Sequence, residues 1–164
     1  TGSSGHLAGV LFDRMTGTKM VHVPYKGAAA AITDVIGGQI PLYLPTMTSV
    51  APYLQNGRLK VLGIATAKRH PTWPNIPTVA EAGYPGYEMN TWYGFAAPAG
   101  TPRSIVDRIH ADVVRIAQLP DVMERMRVLG ADLHTTTPEE FDAYIERDFA
   151  RVGKAVKAAG LRLD

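Results

Sequence analysis

The first five residues of the chain are small or carry hydroxyl groups, and together they could bind an anion. Thr1-Gly2-Ser3-Ser4-Gly5 precedes an apolar pattern with helical spacing, which places its amides and hydroxyls at the positive end of a helix dipole. Because bulky side chains would keep an anion away from those amides, the small residues favour an anion-binding site. The loop alone leaves open the alternative that Ser3 or Ser4 simply caps the helix.

Two further loops have a similar composition. In Tyr25-Lys26-Gly27-Ala28-Ala29, small residues again open a helix, beside a phenol and an ammonium group. A plain β-to-α turn with a buried tyrosine and an exposed lysine is the structural alternative. Thr46-Met47-Thr48-Ser49 could add hydroxyls, although a hydroxyl-stabilised turn also explains it. Successive loops of this kind lie side by side at the carboxyl edge of an open α/β sheet, where ligands bind.

Catalytic and metal-binding patterns are weaker than the anion-binding one. The opening loop lacks the Gly-x-Ser-x-Gly spacing of a hydrolase nucleophile elbow, and the chain has no cysteine. We therefore predict no catalytic residue, no metal and no cofactor. His6 close to Ser3 or Ser4 is the one pairing that could activate a nucleophile, which leaves a carboxylate-ester hydrolase as an alternative. The histidines do not have the spacing of metal ligands. They are His6, His22, His70, His110 and His134.

Composition and charge exclude other classes of protein. Hydrophobic residues make up 46% of the 164 residues and charged residues 20%, which is ordinary for a folded domain. A net charge of +2 is too small to indicate a nucleic-acid partner, and we interpret the basic cluster Lys68-Arg69-His70 as a solvated loop. No apolar run reaches the roughly 18 residues needed to span a membrane, so we predict no membrane insertion. The start of the chain also lacks the pattern of a signal peptide.

Alternating short strands and helices are predicted for the first half of the chain. Helical spacing, caps and glycines predict helices at residues 6–16, 28–36 and 50–55, and Thr78 with Glu81 predicts a short capped helix at 79–82. Apolar, β-rich runs predict strands at residues 20–23, 39–44, 59–67 and 89–97. This pattern is typical of an α/β fold.

Longer amphipathic helices are predicted after residue 101, which suggests a second lobe. Thr101 and Pro102 are predicted as the N-cap and first residue of one helix, and residues 121–129 as the next. Thr137, Pro138 and Glu140 form a capping box with proline at the first helical position. We expect Trp92 and Tyr93 to pack rather than to touch a ligand. The predicted apolar stripes comprise Ile105, Ile109, Val113 and Ile116, then Phe141, Tyr144, Ile145, Phe149, Val152, Val156 and Ala159, with Gly160 ending the last helix.

The motifs follow the order found in a known family. The chain resembles the extracytoplasmic solute receptors of tripartite tricarboxylate transporters, the Bug-type family. The stretches that carry the resemblance are Thr1-Gly2-Ser3-Ser4-Gly5-His6-Leu7-Ala8-Gly9, Val23-Pro24-Tyr25-Lys26-Gly27, Gly37-Gly38-Gln39, Ala67-Lys68-Arg69, Pro77-Thr78-Val79-Ala80-Glu81-Ala82-Gly83, Trp92-Tyr93-Gly94 and Ala97-Pro98-Ala99-Gly100-Thr101-Pro102. They span nearly the whole chain.

The resemblance implies an α/β fold of two lobes, like the type II periplasmic binding proteins, with the amino-terminal part of the fold absent from this chain. Residues 1–90 would form most of the second ligand-binding lobe. Residues 91–164 would supply the crossover strand and the C-terminal helices that return to the first lobe. Such a receptor would be periplasmic and would have no enzymatic activity.

The resemblance also implies a ligand, partners and site residues. The receptor would capture a small carboxylate, such as a dicarboxylate or similar organic acid, and deliver it to membrane transporter subunits; a ligand-sensing interaction module is the remaining alternative. Many family members carry an acidic residue where this chain has Leu44-Pro45-Thr46, which disfavours a ligand whose amino group requires a carboxylate. The predicted ligand-binding residues are Thr1, Ser3, Ser4, His6, Tyr25, Gly27, Ala28 and Thr46.

Overall fold

The computed structural model describes residues 2–158, and helices provide nearly all of their regular secondary structure. None of the helices in this range is both long enough and apolar enough to cross a membrane. The described residues divide into two compact units, one running to Thr91 and resuming at Ala155, the other comprising Trp92–Lys154. The helices are α1 (Ser4–Thr16), α2 (Ala28–Ile36), α3 (Met47–Gln55), α4 (Arg103–Ala117), α5 (Pro120–Leu129) and α6 (Pro138–Ala158).

The ends of α1 are set by two residues that the sequence identified. Ser3 is the N-cap, and its hydroxyl oxygen accepts a hydrogen bond from the amide of His6 at 3.3 Å. Gly17 ends the helix in the left-handed conformation, with φ 75°, and its amide donates to the carbonyl oxygen of Asp13 at 2.8 Å. A residue with a β-carbon adopts this conformation only at a cost, so glycine gives the helix a sharp end.

Other helix boundaries shift slightly from the prediction. α2 has the predicted bounds, whereas α3 begins three residues earlier than expected, at Met47. Pro102 is the N-cap of α4 rather than its first residue, a difference of one position. Thr137 and Glu140 form the predicted capping box at the start of α6, with distances of 2.9 and 3.2 Å between amide nitrogen and side-chain oxygen.

The short helix predicted at residues 79–82 is not formed. The capping bonds between Thr78 and Glu81 are present in both directions, at 2.8 and 3.1 Å, but the segment consists of turns. Gly83 takes a φ of 115° and Pro85 follows two residues later, so the chain turns away before a second helical turn can form. The capping pattern therefore stabilises a turn here.

The four predicted strands form no ladder among residues 2–158. The strand-like pairing that does occur is a single parallel bridge between Ile64 and Thr78. Residues 21–23 and 60–62 form no regular secondary structure, and within the described part of the chain no backbone hydrogen bond joins them to another segment. A strand requires a neighbour about 4.8 Å away to accept and donate these bonds. Without one, Val21 and Leu62 remain 88% and 66% exposed.

The hydrophobic core of the first unit packs around α1. The ring of Phe12 lies 5.7 and 5.9 Å from the rings of Tyr84 and Tyr87. The hydroxyl of Tyr87 is buried and donates to the carbonyl oxygen of Ala8 at 3.0 Å, which satisfies it inside the core. Contacts from a distant part of the sequence thus hold α1 in place. The buried apolar residues are Ala8, Ala31, Ile32, Val50, Ala51, Ile64 and Tyr87.

The second unit is held together partly by Trp92. Its ring packs edge-on against Phe141 and Tyr144, with centroids 5.3 and 5.7 Å apart, and its indole N–H donates to Asp148 at 3.0 Å. Trp92 therefore packs, as predicted, whereas Tyr93, for which packing was also predicted, is 73% exposed.

The apolar stripe predicted to be buried on α6 is only partly buried, because its first residues pack against Trp92 whereas later ones are exposed. Ile105 on α4 is 48% exposed and Phe149 on α6 is 81% exposed. An apolar stripe is buried only when another element lies over it, and the described residues of Trp92–Lys154 supply none for these positions. Ala159 and Gly160 lie outside the described residues.

Candidate anion-binding site

The first loop forms the amino-terminal turn of α1. Ser3 caps the turn, while the amides of Ser4 and Gly5 have no acceptor among residues 2–158. The first turn of α1 contains no acidic side chain that could occupy them. Free amides at a helix start are donors for an anion. Thr1, also predicted as a ligand-binding residue, lies outside the described residues.

The second loop leaves the start of α2 uncapped. Gly27 is the N-cap in an extended conformation, and it has no side chain to accept from the helix amides. No acidic residue occurs in the first turn, and Ala28 and Ala29 carry only methyl groups. A β-carbon added at Gly27 would meet no atom within 4 Å. The first turn of α2 therefore has neither a side-chain cap nor an acidic side chain, and the space around Gly27 is open.

The third loop forms a cluster of hydroxyl groups at the start of α3. The hydroxyl oxygen of Thr46 lies 3.1 Å from that of Thr48 and 3.3 Å from that of Ser49. Ser49 also donates its hydroxyl hydrogen to the carbonyl oxygen of Thr46 at 2.8 Å. These local bonds are those expected of a hydroxyl-stabilised turn. Thr46 makes no side-chain cap bond, so the first amides of α3 are also not capped by it.

Two contacts bring these helix starts together. Gly5 lies so close to the carbonyl oxygen of Leu44 that a β-carbon would collide with it, which places the start of α1 beside the segment leading into α3. The imidazole rings of His6 and His22 stack with centroids 4.1 Å apart, which places the same turn beside the segment leading into α2. The start of α1 therefore lies beside the segment that enters α3, and residue 22 of the segment that precedes α2 also contacts it.

Tyr25 and His6 make internal hydrogen bonds that limit their roles. The hydroxyl of Tyr25 donates to Asp34 at 2.7 Å, and this bond raises the pKa of the phenol. This hydroxyl hydrogen is therefore already bonded to a side chain of α2 and is not available to a carboxylate. His6 accepts a bond from the amide of Gly2 on Nδ1 at 3.1 Å. Burial, followed by the charge of His22, lowers the pKa of His6, which favours the neutral ring.

Sequence reasoning missed three residues that shape this region. His22 stacks on His6, Asp34 accepts from Tyr25, and Asp13 binds the hydroxyl of Thr18 at 2.6 Å and the amide of Met20 at 2.9 Å. His6 and His22 are 16 positions apart, and no sequence pattern indicates a stacked pair at that separation. The position of Asp34, nine residues after Tyr25, likewise gives no local signal.

The alternative chemistries find little support in the geometry. Among residues 2–158 no hydrogen bond joins the ring of His6 to the hydroxyl of Ser3 or Ser4, as a nucleophile and its base would require. Arg69, in the basic cluster, is paired with Glu81 at 2.9 Å, and His70 is buried. No group of three or more potential metal-binding side chains occurs in the described range.

An apolar groove of about 630 Å³ lies in the first unit. Its lining includes Ser4, Gly5 and Pro45 of the candidate site, together with Leu62 and Met89. Residues 25–28 are not part of its lining. Because its walls are mainly apolar, we assign the groove to packing rather than to the carboxylate itself.

Comparison with known proteins identifies the family. The sequence profile described as "Tripartite tricarboxylate transporter family receptor" matches residues 1–161. The chain belongs to this receptor family. It is 38% identical over 139 residues to the "UPF0065 protein in tcbD-tcbE intergenic region" of Pseudomonas sp. (strain P51), covering 84% of this chain and 41% of that protein. It is 30% identical over 162 residues to "Protein BugT" of Bordetella pertussis, covering 99% of this chain and 50% of that protein.

Solved structures of related receptors have the same fold. "R. palustris Rpa4515 with adipate" matches with a TM-score of 0.91 and 36% identity over 97% of this chain and 53% of that one. "Structure of periplasmic binding protein BugD" matches at 0.89 and 32%, over 98% and 55%. "MatC (Rpa3494) from Rhodopseudomonas palustris with bound malate" matches at 0.83 and 30%, over 94% and 54%.

These comparisons confirm the predicted family and the α/β periplasmic-binding-protein fold. They also confirm that the chain belongs among solute-binding receptors rather than enzymes. The chain spans about half the length of the curated relatives and solved receptors described above.

Proposed function

We propose that this chain forms one wall of a carboxylate-binding cleft in a periplasmic receptor, and that the ligand is a small organic dicarboxylate. The observation that carries the proposal is the uncapped start of α2, where Gly27 leaves the amides of Ala28 and Ala29 open. A carboxylate would accept charge-assisted hydrogen bonds from these amides and gain from the helix dipole. Two related receptors, one solved with adipate and one with bound malate, support a dicarboxylate.

In this proposal, the ligand would be bound by residues of two loops, those at the starts of α1 and α2. Ser3, Ser4 and Thr1 would contribute amides and hydroxyls at α1, and Gly27 with Ala28 would contribute amides at α2. Tyr25 and His6 would hold these loops through their bonds to Asp34 and Gly2. Thr46 would add a hydroxyl at the edge of the site. None of these groups needs to break a bond in the ligand, as expected for a receptor that releases its ligand unchanged.

The complete receptor would need a second wall and a transporter. We propose that the opposite wall consists of residues equivalent to the half of the relatives that this chain does not span. Membrane transporter subunits are the partners that the family description favours over a signalling role. Deleting the gene and measuring dicarboxylate uptake would test delivery, because a purely sensing protein would leave uptake intact.

Replacing Gly27 by valine tests the site directly. A β-carbon meets nothing within 4 Å and the backbone is extended, so Gly27→Val should fold normally while its side chain covers the amides of α2. Losing one charge-assisted bond, worth about 1.5–3 kcal/mol, should weaken adipate or malate binding roughly tenfold or more in calorimetric titration.

Gly153→Val is the matched control, because its β-carbon on α6 also meets nothing within 4 Å. It should leave the affinity unchanged. Equal affinities for Gly27→Val and the unsubstituted protein would show that α2 does not contact the ligand. Absence of binding to any mono- or dicarboxylate by the unsubstituted full-length protein would contradict the proposed function itself.

A further inference from the structure

We infer that His22 is a positioning residue of the anion-binding site, because its ring stacks on His6 and thereby keeps the first loop in its binding conformation. The inference rests on the proposed function for its effect on ligand binding. The arrangement of the two rings can be tested without any ligand.

His6 connects the loop to α1 on two sides. It is the third residue of α1, and its amide donates to the hydroxyl oxygen of Ser3 at 3.3 Å. Its ring turns back along the chain, where Nδ1 accepts from the amide of Gly2 at 3.1 Å. Gly2 has a φ of 76°, the left-handed conformation that residues with a β-carbon rarely adopt. His6 therefore fixes the loop on both sides of its cap.

The bond to Gly2 requires one form of the imidazole. Nδ1 can accept only if the ring is neutral and its single proton is on Nε2. A protonated ring would lose this bond and would place a positive charge at the positive end of α1, which is unfavourable. The lowered pKa of His6, due to burial and then to the charge of His22, agrees with a neutral ring.

The stack with His22 restricts the orientation of the His6 ring, which the bond to Gly2 requires. The rings are almost parallel, 17° apart, with centroids at 4.1 Å, so His22 covers one face of His6 and restricts its rotation. The amide of Gly2 then always meets Nδ1. Because aromatic contacts of this kind contribute about 0.5–1.5 kcal/mol beyond buried area, losing the stack should change affinity by about twofold to tenfold.

His22 also joins the two ligand loops. It lies in the extended segment between Met20, whose amide is held by Asp13, and Tyr25, whose hydroxyl is held by Asp34. Within the described residues the backbone of 21–23 has no hydrogen-bond partner. The stack therefore provides a side-chain anchor in the middle of the segment and couples the position of the second loop to the first.

Two substitutions at His22 separate positioning from ligand contact. His22→Ala removes the ring, whereas His22→Phe retains an aromatic surface that can stack but has no N–H group for a carboxylate. In ligand-free protein, the imidazole ¹⁵N shifts of His6 should show one Nε2–H form in the unsubstituted chain and in His22→Phe, and a mixture of forms in His22→Ala. Adipate affinity should follow the same order, with only His22→Ala weakened.

His134→Ala is the control, because His134 is an exposed histidine of the second unit and should alter neither measurement. Unchanged His6 shifts and affinity in His22→Ala would overturn the inference. A His22→Phe variant that binds as weakly as His22→Ala would also overturn it, since the lost N–H would then be a direct ligand contact. If the unsubstituted protein bound no carboxylate, the proposed function would fail, while the ¹⁵N shifts would still decide the role of His22.

Discussion

Gly5 allows the start of α1 to lie against the carbonyl oxygen of Leu44, and this contact can be tested by a pair of alanine substitutions. A β-carbon at Gly5 would collide with that backbone oxygen, whereas at Gly9 it would meet only the flexible end of Met20 at 3.9 Å. Gly5→Ala should therefore lower the free energy of unfolding by about 1–3 kcal/mol, measured by urea denaturation. Gly9→Ala should leave it unchanged or raise it by up to about 1 kcal/mol, because alanine favours the helix.

The comparison between these two glycines isolates the backbone contact, since both lie in α1. Gly5→Ala should also weaken dicarboxylate binding if the contact with Leu44 fixes the position of the α1 amides. Similar unfolding free energies for the two variants would mean that the segment around Leu44 moves aside at little cost. The proximity of the first and third loops would then not depend on Gly5.

At the residue scale, the sequence predicted correctly those residues whose role depends on residues nearby in the sequence. Ser3 as a cap and Gly27 as an open helix start follow from the residues that come after them, because a cap needs only the next turn. His22 and Asp34 were not predicted, because their contacts join residues 16 and nine positions apart. Such contacts depend on how the loops pack, which residue spacing does not specify.

At the scale of elements, the same distinction separates helices from strands. α2 has the bounds that its apolar residues and Gly37 predicted, because the backbone bonds that form an α-helix join residues only four positions apart. The segment at 59–67 was predicted as a strand covered on both faces, but among residues 2–158 it forms just the bridge at Ile64 and one bond from the amide of Met89 to the carbonyl oxygen of Ala65 at 2.9 Å. A strand depends on a neighbour elsewhere, so its pattern shows that the segment suits a sheet without showing that a partner is present.

The turn at Thr78 and Glu81 predicts a pH-dependent contribution to stability. The amide of Thr78 and then the guanidinium of Arg69 lower the pKa of Glu81 below its ordinary value of 4.5. The carboxylate therefore stabilises the folded state fully above pH 4.5, and this contribution is lost as the pH falls through the lowered pKa. Glu81→Gln should unfold at lower urea concentration than the unsubstituted protein at neutral pH, and the difference should shrink in acid.

An exposed glutamate on α6 provides the control for this measurement. Glu146→Gln should leave the urea midpoint nearly unchanged at neutral pH, because surface substitutions of this kind usually have small effects. A difference between Glu81→Gln and the unsubstituted protein that stayed constant down to acid pH would show that the charge of Glu81 is not what stabilises the turn. The loss of stability in Glu81→Gln would then come from the different hydrogen-bonding geometry of the glutamine amide.

At the scale of the whole molecule, two segments with apolar side chains are exposed, and the chain spans only about half the length of its relatives. Val21 and Leu62 are largely exposed, although their types and alternation suit the interior of a sheet. The solved receptors that match this chain are about twice as long. The sequence motifs established the family and the helices, but they do not specify which residues cover these segments.

Hydrogen exchange can test whether such polypeptide pairs with the extended segments. In this chain alone, the amides of Val21 and Leu62 should exchange rapidly, because no acceptor for them exists among residues 2–158, whereas the amide of Ile64, bonded to Pro77 at 3.0 Å, should be slower. Adding a polypeptide equivalent to the half of a matched receptor that this chain does not span should slow exchange at Val21 and Leu62 and leave Ile64 little changed. If both amides were already slow in the chain alone, and slowed further with concentration, a second copy of this chain would be supplying the missing strand. Slow exchange that did not vary with concentration would instead require a partner within the chain itself, and the second wall would then not be needed to complete the sheet.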